Sequence, residues 1–178
     1  MRYLVGIILL CSLTTSTTFQ QDVDAFLKQM NLHYSQKESQ KVFSKAMDRQ
    51  PREWSKRTRL VSMERNGTYE LSFYEYASTV QCDSAFHALL DCFPNDCAKV
   101  KENVDMSSLK ITPTLVIVNS TTIVIASAYC YDAEGDWDAV WNKVYDNFSK
   151  DGSKIILTGC GGPLKWGKPQ SRCAHDGK

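Results

Sequence analysis

The residues best suited to chemistry in this chain are its seven cysteines. Cys160 draws attention first, because "GCGGP" (159–163) directly follows the apolar run "KIILT". A glycine-flanked cysteine on a sharp turn can present a thiolate to surrounding backbone N–H groups, as a nucleophile requires. The same residues equally suit a disulfide cysteine whose glycine neighbours let the chain reverse. Redox compartment separates the two readings.

The chain opens "MRYLVGIILLCSLTTSTTFQQDVD". Arg2 is a short positive region, and Tyr3 to Leu13 is an apolar core of about 11 residues. The small polar residues Thr14 to Thr18 follow, which is the pattern of a secretory signal over residues 1–19. An apolar run that short falls below the roughly 20 residues that span a bilayer. Cleavage is expected between residues 16 and 20, and Cys11 would leave with the signal. Cys82, Cys92, Cys97, Cys130, Cys160 and Cys173 then remain. An even set in an exported chain reads as disulfides of open connectivity. Three sequons agree with export: Asn66-Gly-Thr, Asn119-Ser-Thr and Asn147-Phe-Ser. Asn66 and Asn119 fall at predicted hairpin tips, where a glycan stays solvated; Asn147 falls on a predicted helix.

Other constellations are sparse. Histidine occurs only at His33, His87 and His175, and His87 lies off the apolar stripe of its predicted helix. "DVD" (22–24) and "DWD" (136–138) sit near predicted helix starts, where carboxylates complement the positive end of the dipole. The sequence holds no G-x-S-x-G, G-x-G-x-x-G or phosphate-binding glycine loop. No catalytic residue, metal site or cofactor is therefore expected. Losing Arg2 would leave 20 basic and 20 acidic residues without long runs of one sign. That balance argues against nucleic acid and against a membrane-binding basic patch.

The elements that must position these residues show a period of 55. Aligned without gaps, residues 59–110 and 114–165 share twelve identical positions of 52, among them Leu60 with Leu115, Ser72 with Ser127 and Phe93 with Phe148. Hairpins are predicted from Leu60–Arg65 with Thr68–Tyr76, and from Thr114–Val118 with Thr122–Tyr131. Tyr69, Leu71 and Phe73 alternate with polar residues, whereas both parities of the second hairpin are apolar. The second hairpin is thus expected to be the more central. Each is followed by a helical stripe. Cys82, Ala85, Phe86, Leu89, Leu90 and Phe93 have the spacing of Trp137, Val140, Trp141, Val144, Tyr145 and Phe148. Trp137 and Trp141 on that stripe read as core.

After each stripe one more strand is expected, clear at Lys154–Thr158 and weak at Lys99–Val104. The cysteines do not repeat, so they would staple unit to unit or hold the tail. Ahead of the units, Val23, Phe26, Leu27, Met30 and Tyr34 form a stripe. Ser35 to Glu38 has the capping-box pattern of a second helix start. "DRQPREWSKR" (48–57) reads as a polar linker. The tail from Gly159 reads as irregular, with Trp166 packing on the sheet.

A helix, a hairpin ending "TYELSFYEYASTVQC" and cysteines ten apart, Cys82 and Cys92, resemble a secreted cystatin over residues 22–92. That resemblance implies inhibition of papain-type proteases through two hairpin turns, one Q-x-V-x-G and one Pro-Trp. Here those places are Glu64 to Thr68 and Asn119 to Thr121, both sequons. A sugar on the inhibitory edge would block entry to a protease cleft.

The expected fold is α+β: an antiparallel sheet from two pseudo-repeated ββα(β) units, helices packed on one face, and an N-terminal helical segment. The expected organisation is a signal over 1–19 and one globular domain over 20–178. Within it lie a helical segment at 20–50, the units at 59–111 and 114–166, and a tail at 167–178. The expected function is a secreted, non-enzymatic binding protein whose partner is an extracellular protein or a small apolar ligand. The rival is a small extracellular enzyme using Cys160 or dispersed carboxylates.

Overall fold

A strand whose two parities are both apolar is stable only where both faces of its sheet are covered. Thr114–Val118 and Thr122–Ala128 are such strands, and the fold is built around them. The computed structural model describes residues 16–30, 34–36, 54–64, 67–93, 98–107, 112–130 and 137–167, with the backbone alone at 16–17, 34–36, 54–64 and 67–68. The chain forms two compact units, 1–32 and 33–178. The first contains α1 (Ser16–Met30), whose buried positions Val23, Phe26 and Leu27 form one stripe.

The second unit holds β1 (Tyr34–Gln36), β2 (Trp54–Glu64), β3 (Gly67–Tyr76), α2 (Thr79–Asp91), β4 (Thr114–Val118), β5 (Thr122–Ala128), α3 (Trp137–Phe148), β6 (Lys154–Thr158) and β7 (Leu164–Trp166). The strands make one antiparallel sheet in the order β1-β2-β3-β5-β4-β6-β7. β5 is its middle strand, as the double-sided apolar pattern requires.

The two hairpins have comparable registers. Leu60 pairs with Leu71 in β2–β3, and Leu115 pairs with Ala126 in β4–β5, the same register one period later. β3 and β5 are antiparallel neighbours with Leu71 opposite Ala126. A repeat of whole units would relate the hairpins by a two-fold axis through that pair, perpendicular to the sheet. Such an axis keeps each face on its own side, so equivalent helices would share a face.

They do not. Tyr74, Tyr76, Val116, Val118, Ile123, Ile125 and Ile156 pack with Phe86, Leu89 and Leu90 of α2. The opposite parity meets α3: Tyr69 stacks on Trp137 at 6.2 Å between centroids, and Phe73 lies against Phe148 at 5.1 Å. The expectation of helices on one face is corrected, and with it the pseudo-repeat of whole ββα units. The cause is connection length. Only Ala77 and Ser78 separate β3 from α2, whereas residues 129–136 separate β5 from α3 and let the chain cross to the uncovered face. Leu115, Ile117, Val124 and Ala126 there would otherwise face water; all are at most 1% exposed. Burying each large apolar side chain contributes roughly 1.5–3 kcal/mol.

Other expectations change as well. β2 begins at Trp54, inside the supposed linker 48–57, because backbone pairing with β3 runs back to Tyr76 through an irregularity between Trp54 and Lys56. Ser35 lies in β1 rather than at a helix start, paired with Val61; the helix expected to follow it lies outside the described residues. Lys99–Val104 is no strand. That segment makes turns held by Val104 N–H to Lys101 O (3.3 Å) and a bridge between Met106 and Leu164. Leu164–Trp166, assigned to an irregular tail, is instead a strand pinned on one side by β6 and on the other by Met106. Among the described residues no helix is long and apolar enough to cross a membrane.

Candidate functional site

β5 and β6 run in the same direction on either side of β4, so their C-terminal ends emerge together over the start of β4. Cys130 follows β5 and Cys160 follows β6. They form a disulfide with Cα atoms 5.4 Å apart, within the reach of such a bond. The glycines of "GCGGP" supply the turn. Gly161 has φ +56, and Gly162 N–H donates to Gly159 O at 3.3 Å. The thiolate reading of Cys160 is therefore overturned: its sulfur is already bonded.

Beneath this clasp two buried hydroxyls fasten β4 to β6. Thr158 Oγ1 accepts from Thr114 N–H at 2.9 Å and lies 3.1 Å from Thr112 O; Thr114 Oγ1 donates to Thr112 O at 3.0 Å. Hydroxyls that serve carbonyls in this way hold strands rather than attack substrates. Beside the clasp Tyr129 is 60% exposed, a large aromatic carried on a backbone that the disulfide pins.

The other end of β4 carries a second constellation, centred on Asn119. Its Nδ2 donates to Thr122 Oγ1 (3.0 Å) and to Phe148 O (3.1 Å), the last carbonyl of α3. Its Oδ1 accepts from Ser153 Oγ at 2.6 Å, its N–H donates to Thr122 O at 2.9 Å, and its carbonyl lies 3.5 Å from Cys82 Sγ. One residue thus joins the hairpin turn, the helix on each face and the approach to β6.

Cys82 is a correction to the disulfide set. It is a free, fully buried thiol on the inner face of α2. Burial pushes it up to about 12; Asp83 adds to the effect and Lys154 opposes it. A thiol kept protonated in this way is a core residue rather than a nucleophile. Cys92 is disulfide-bonded. Cys82 and Cys92, the cysteines ten apart, are therefore not joined to each other. Cys97, Cys173 and Asn66 lie outside the described residues.

Asn147 is exposed on α3, its Nδ2 donating to Lys143 O at 2.8 Å. His87 is exposed, and Trp137 and Trp141 are buried at 6% and 4% exposure. Trp141 Nε1 donates to Asp138 Oδ1 at 2.9 Å, which gives the second carboxylate of "DWD" a structural role. Lys154 Nζ lies 3.0 Å from Glu102 Oε1, 3.7 Å from Asp83 Oδ1 and 5.1 Å from the centre of the Phe86 ring. The bond to Glu102 holds the ammonium above its usual value. Asp105 is held below the usual carboxylate range by the N–H of Trp166 and by Lys165. These pairs bind β6 and β7 to α2 and to the segment before β4.

Sequence reasoning missed the start of α2. Ser78 accepts from Gln81 N–H at 3.3 Å while Gln81 Oε1 accepts from Ala77 N–H at 3.1 Å. Its signal was the S-x-x-Q at 78–81, directly before the apolar stripe. Compared with known proteins, the chain matches no protein-family model, no curated protein and no solved structure.

Proposed function

We propose that this chain is an exported, disulfide-clasped binding module that acts by contact with another extracellular protein. The observation that carries the reading is the Cys130–Cys160 bridge with Tyr129 exposed beside it. A disulfide fits an oxidising compartment, in agreement with the signal-like N-terminus and the sequons. Tyrosine is among the residues that dominate interface energetics, and a pinned backbone loses little freedom on binding. An apolar ligand between helix and sheet is the weaker alternative. Phe86, Leu89, Val116, Ile123 and Ile125 fill that space and are each at most 1% exposed.

The test places a photo-cross-linking residue at position 129 of the secreted protein and, separately, at exposed Lys150. Extracellular fluid from the source tissue supplies the partners. A discrete adduct from position 129, lost on addition of excess unlabelled protein, is expected. Equal labelling from both positions, or none from 129, would overturn the reading.

A further inference from the structure

We propose that the folded protein carries an N-glycan at Asn147 and none at Asn119, an inference that rests on the export reading above. In N-glycosylation the side-chain amide nitrogen attacks the anomeric carbon of a lipid-diphosphate-linked oligosaccharide. An N–C bond forms, the C–O bond to phosphate breaks, the lipid diphosphate leaves, and the transferase removes the amide proton. The product keeps one N–H on Nδ2.

Asn119 needs two. Its Nδ2 hydrogens go to Thr122 Oγ1 at 3.0 Å and Phe148 O at 3.1 Å. A sugar ring on that nitrogen removes one of these bonds and must occupy the space where an acceptor already stands. It would strip either the hairpin turn or the last carbonyl of α3 of its donor, at a half-buried position where a lost partner is not replaced freely by water. The Ser153 Oγ bond to Oδ1 at 2.6 Å holds the amide in that orientation. Glycan transfer precedes folding, so a chain modified at Asn119 is one that cannot close the β4–β5 turn onto α3 and does not join the native pool.

Asn147 differs in each respect. It is exposed on α3, and the bond of its amide to Lys143 O leaves the second hydrogen available for exchange with a sugar. The hairpin-tip sequon is thus the closed one and the helix sequon the open one, the reverse of what their predicted elements suggest.

The experiment is glycopeptide mapping of native secreted protein. Enzymatic deglycosylation in heavy-oxygen water converts each formerly glycosylated asparagine to labelled aspartate. Labelled aspartate at 147 and unmodified asparagine at 119 are expected. Label at 119 in folded material, or its absence from 147 while Asn66 is labelled, overturns the proposal. Absence of label from all three sequons also overturns the proposal, whereas failure to recover the protein outside the cell defeats the export reading itself. Two variants separate sequon use from folding. Thr121→Ala removes the Asn119 sequon without touching the Asn119 side chain; it should leave the glycan mass of the secreted protein unchanged and should not lower its yield. Ser149→Ala should remove the mass of one glycan. A glycan lost on Thr121→Ala would refute the assignment.

Discussion

Alkylation of Cys82 tests the placement of α2 with little freedom for another interpretation. The thiol is fully buried, and burial raises it from 9.0 to about 12. At pH 8 the thiolate, the reactive form, is then roughly one part in ten thousand in the folded chain and roughly one in ten in the unfolded chain. Native protein should therefore react with iodoacetamide about a thousand-fold more slowly than protein in denaturant, before steric exclusion is counted. The assay is timed alkylation followed by peptide mass spectrometry, so that the Cys82 peptide is followed alone. The residual native rate should track global unfolding and rise with urea, because α2 must leave the sheet to expose the sulfur. Native alkylation within ten-fold of the unfolded rate, or recovery of Cys82 in a disulfide, would refute the packing described.

Other consequences concern stability. Cys130 and Cys160 are 30 residues apart, so replacing both by serine should cost about 3.6 kcal/mol in urea unfolding on the chain-entropy account; a change under about 0.5 kcal/mol would mean that the bridge constrains nothing. Trp141→Ala should lower stability by roughly 3–5 kcal/mol, whereas Trp141→Phe, which keeps a smaller aromatic ring and deletes the bond to Asp138, should cost less, about 1–2 kcal/mol; equal losses would contradict that division. Cys82 and Lys154 are both raised in the folded state, so each favours folding below its unfolded value and loses that contribution as pH climbs. Unfolding free energy should be level to about pH 9 and then fall, first through the thiol between 9.0 and about 12 and also through Lys154 above 10.5. Cys82→Ala should remove the early part of that decline, and an unchanged curve would show that the thiol is not the titrating group.

Much of the fold was legible because apolar periodicity reports burial directly. The spacing of Phe86, Leu89 and Trp141 marked both helices, and the double-sided pattern of Ile123 to Ala126 placed β5 at the centre. What periodicity could not report was which face a helix covers, since the α2 and α3 stripes look alike. The deciding quantity was the connection between strand and helix, two residues in one case and eight in the other. β2 was cut short because Lys56 and Arg57 look like linker residues, while strand pairing is a backbone property that tolerates them. β7 was missed because three residues are too few to show a period.

At the level of sites, the cysteines announced an oxidised protein without announcing which would bridge. Cys130 and Cys160 meet only because β4 lies between two strands of common direction. Cys82 stays free because α2 turns it into the core. Asn119 announced a sequon, and nothing local to it could reveal that Phe148 and Ser153 would arrive to claim its amide.

The central claim is that this chain is an exported fold locked by a bridge between the ends of β5 and β6. A non-reducing peptide map of secreted protein, alkylated after unfolding, tests it most directly. The account predicts one linked peptide joining Cys130 to Cys160 and an alkylated Cys82. Recovery of Cys130 and Cys160 as alkylated thiols, or of Cys82 joined to another cysteine, would contradict it.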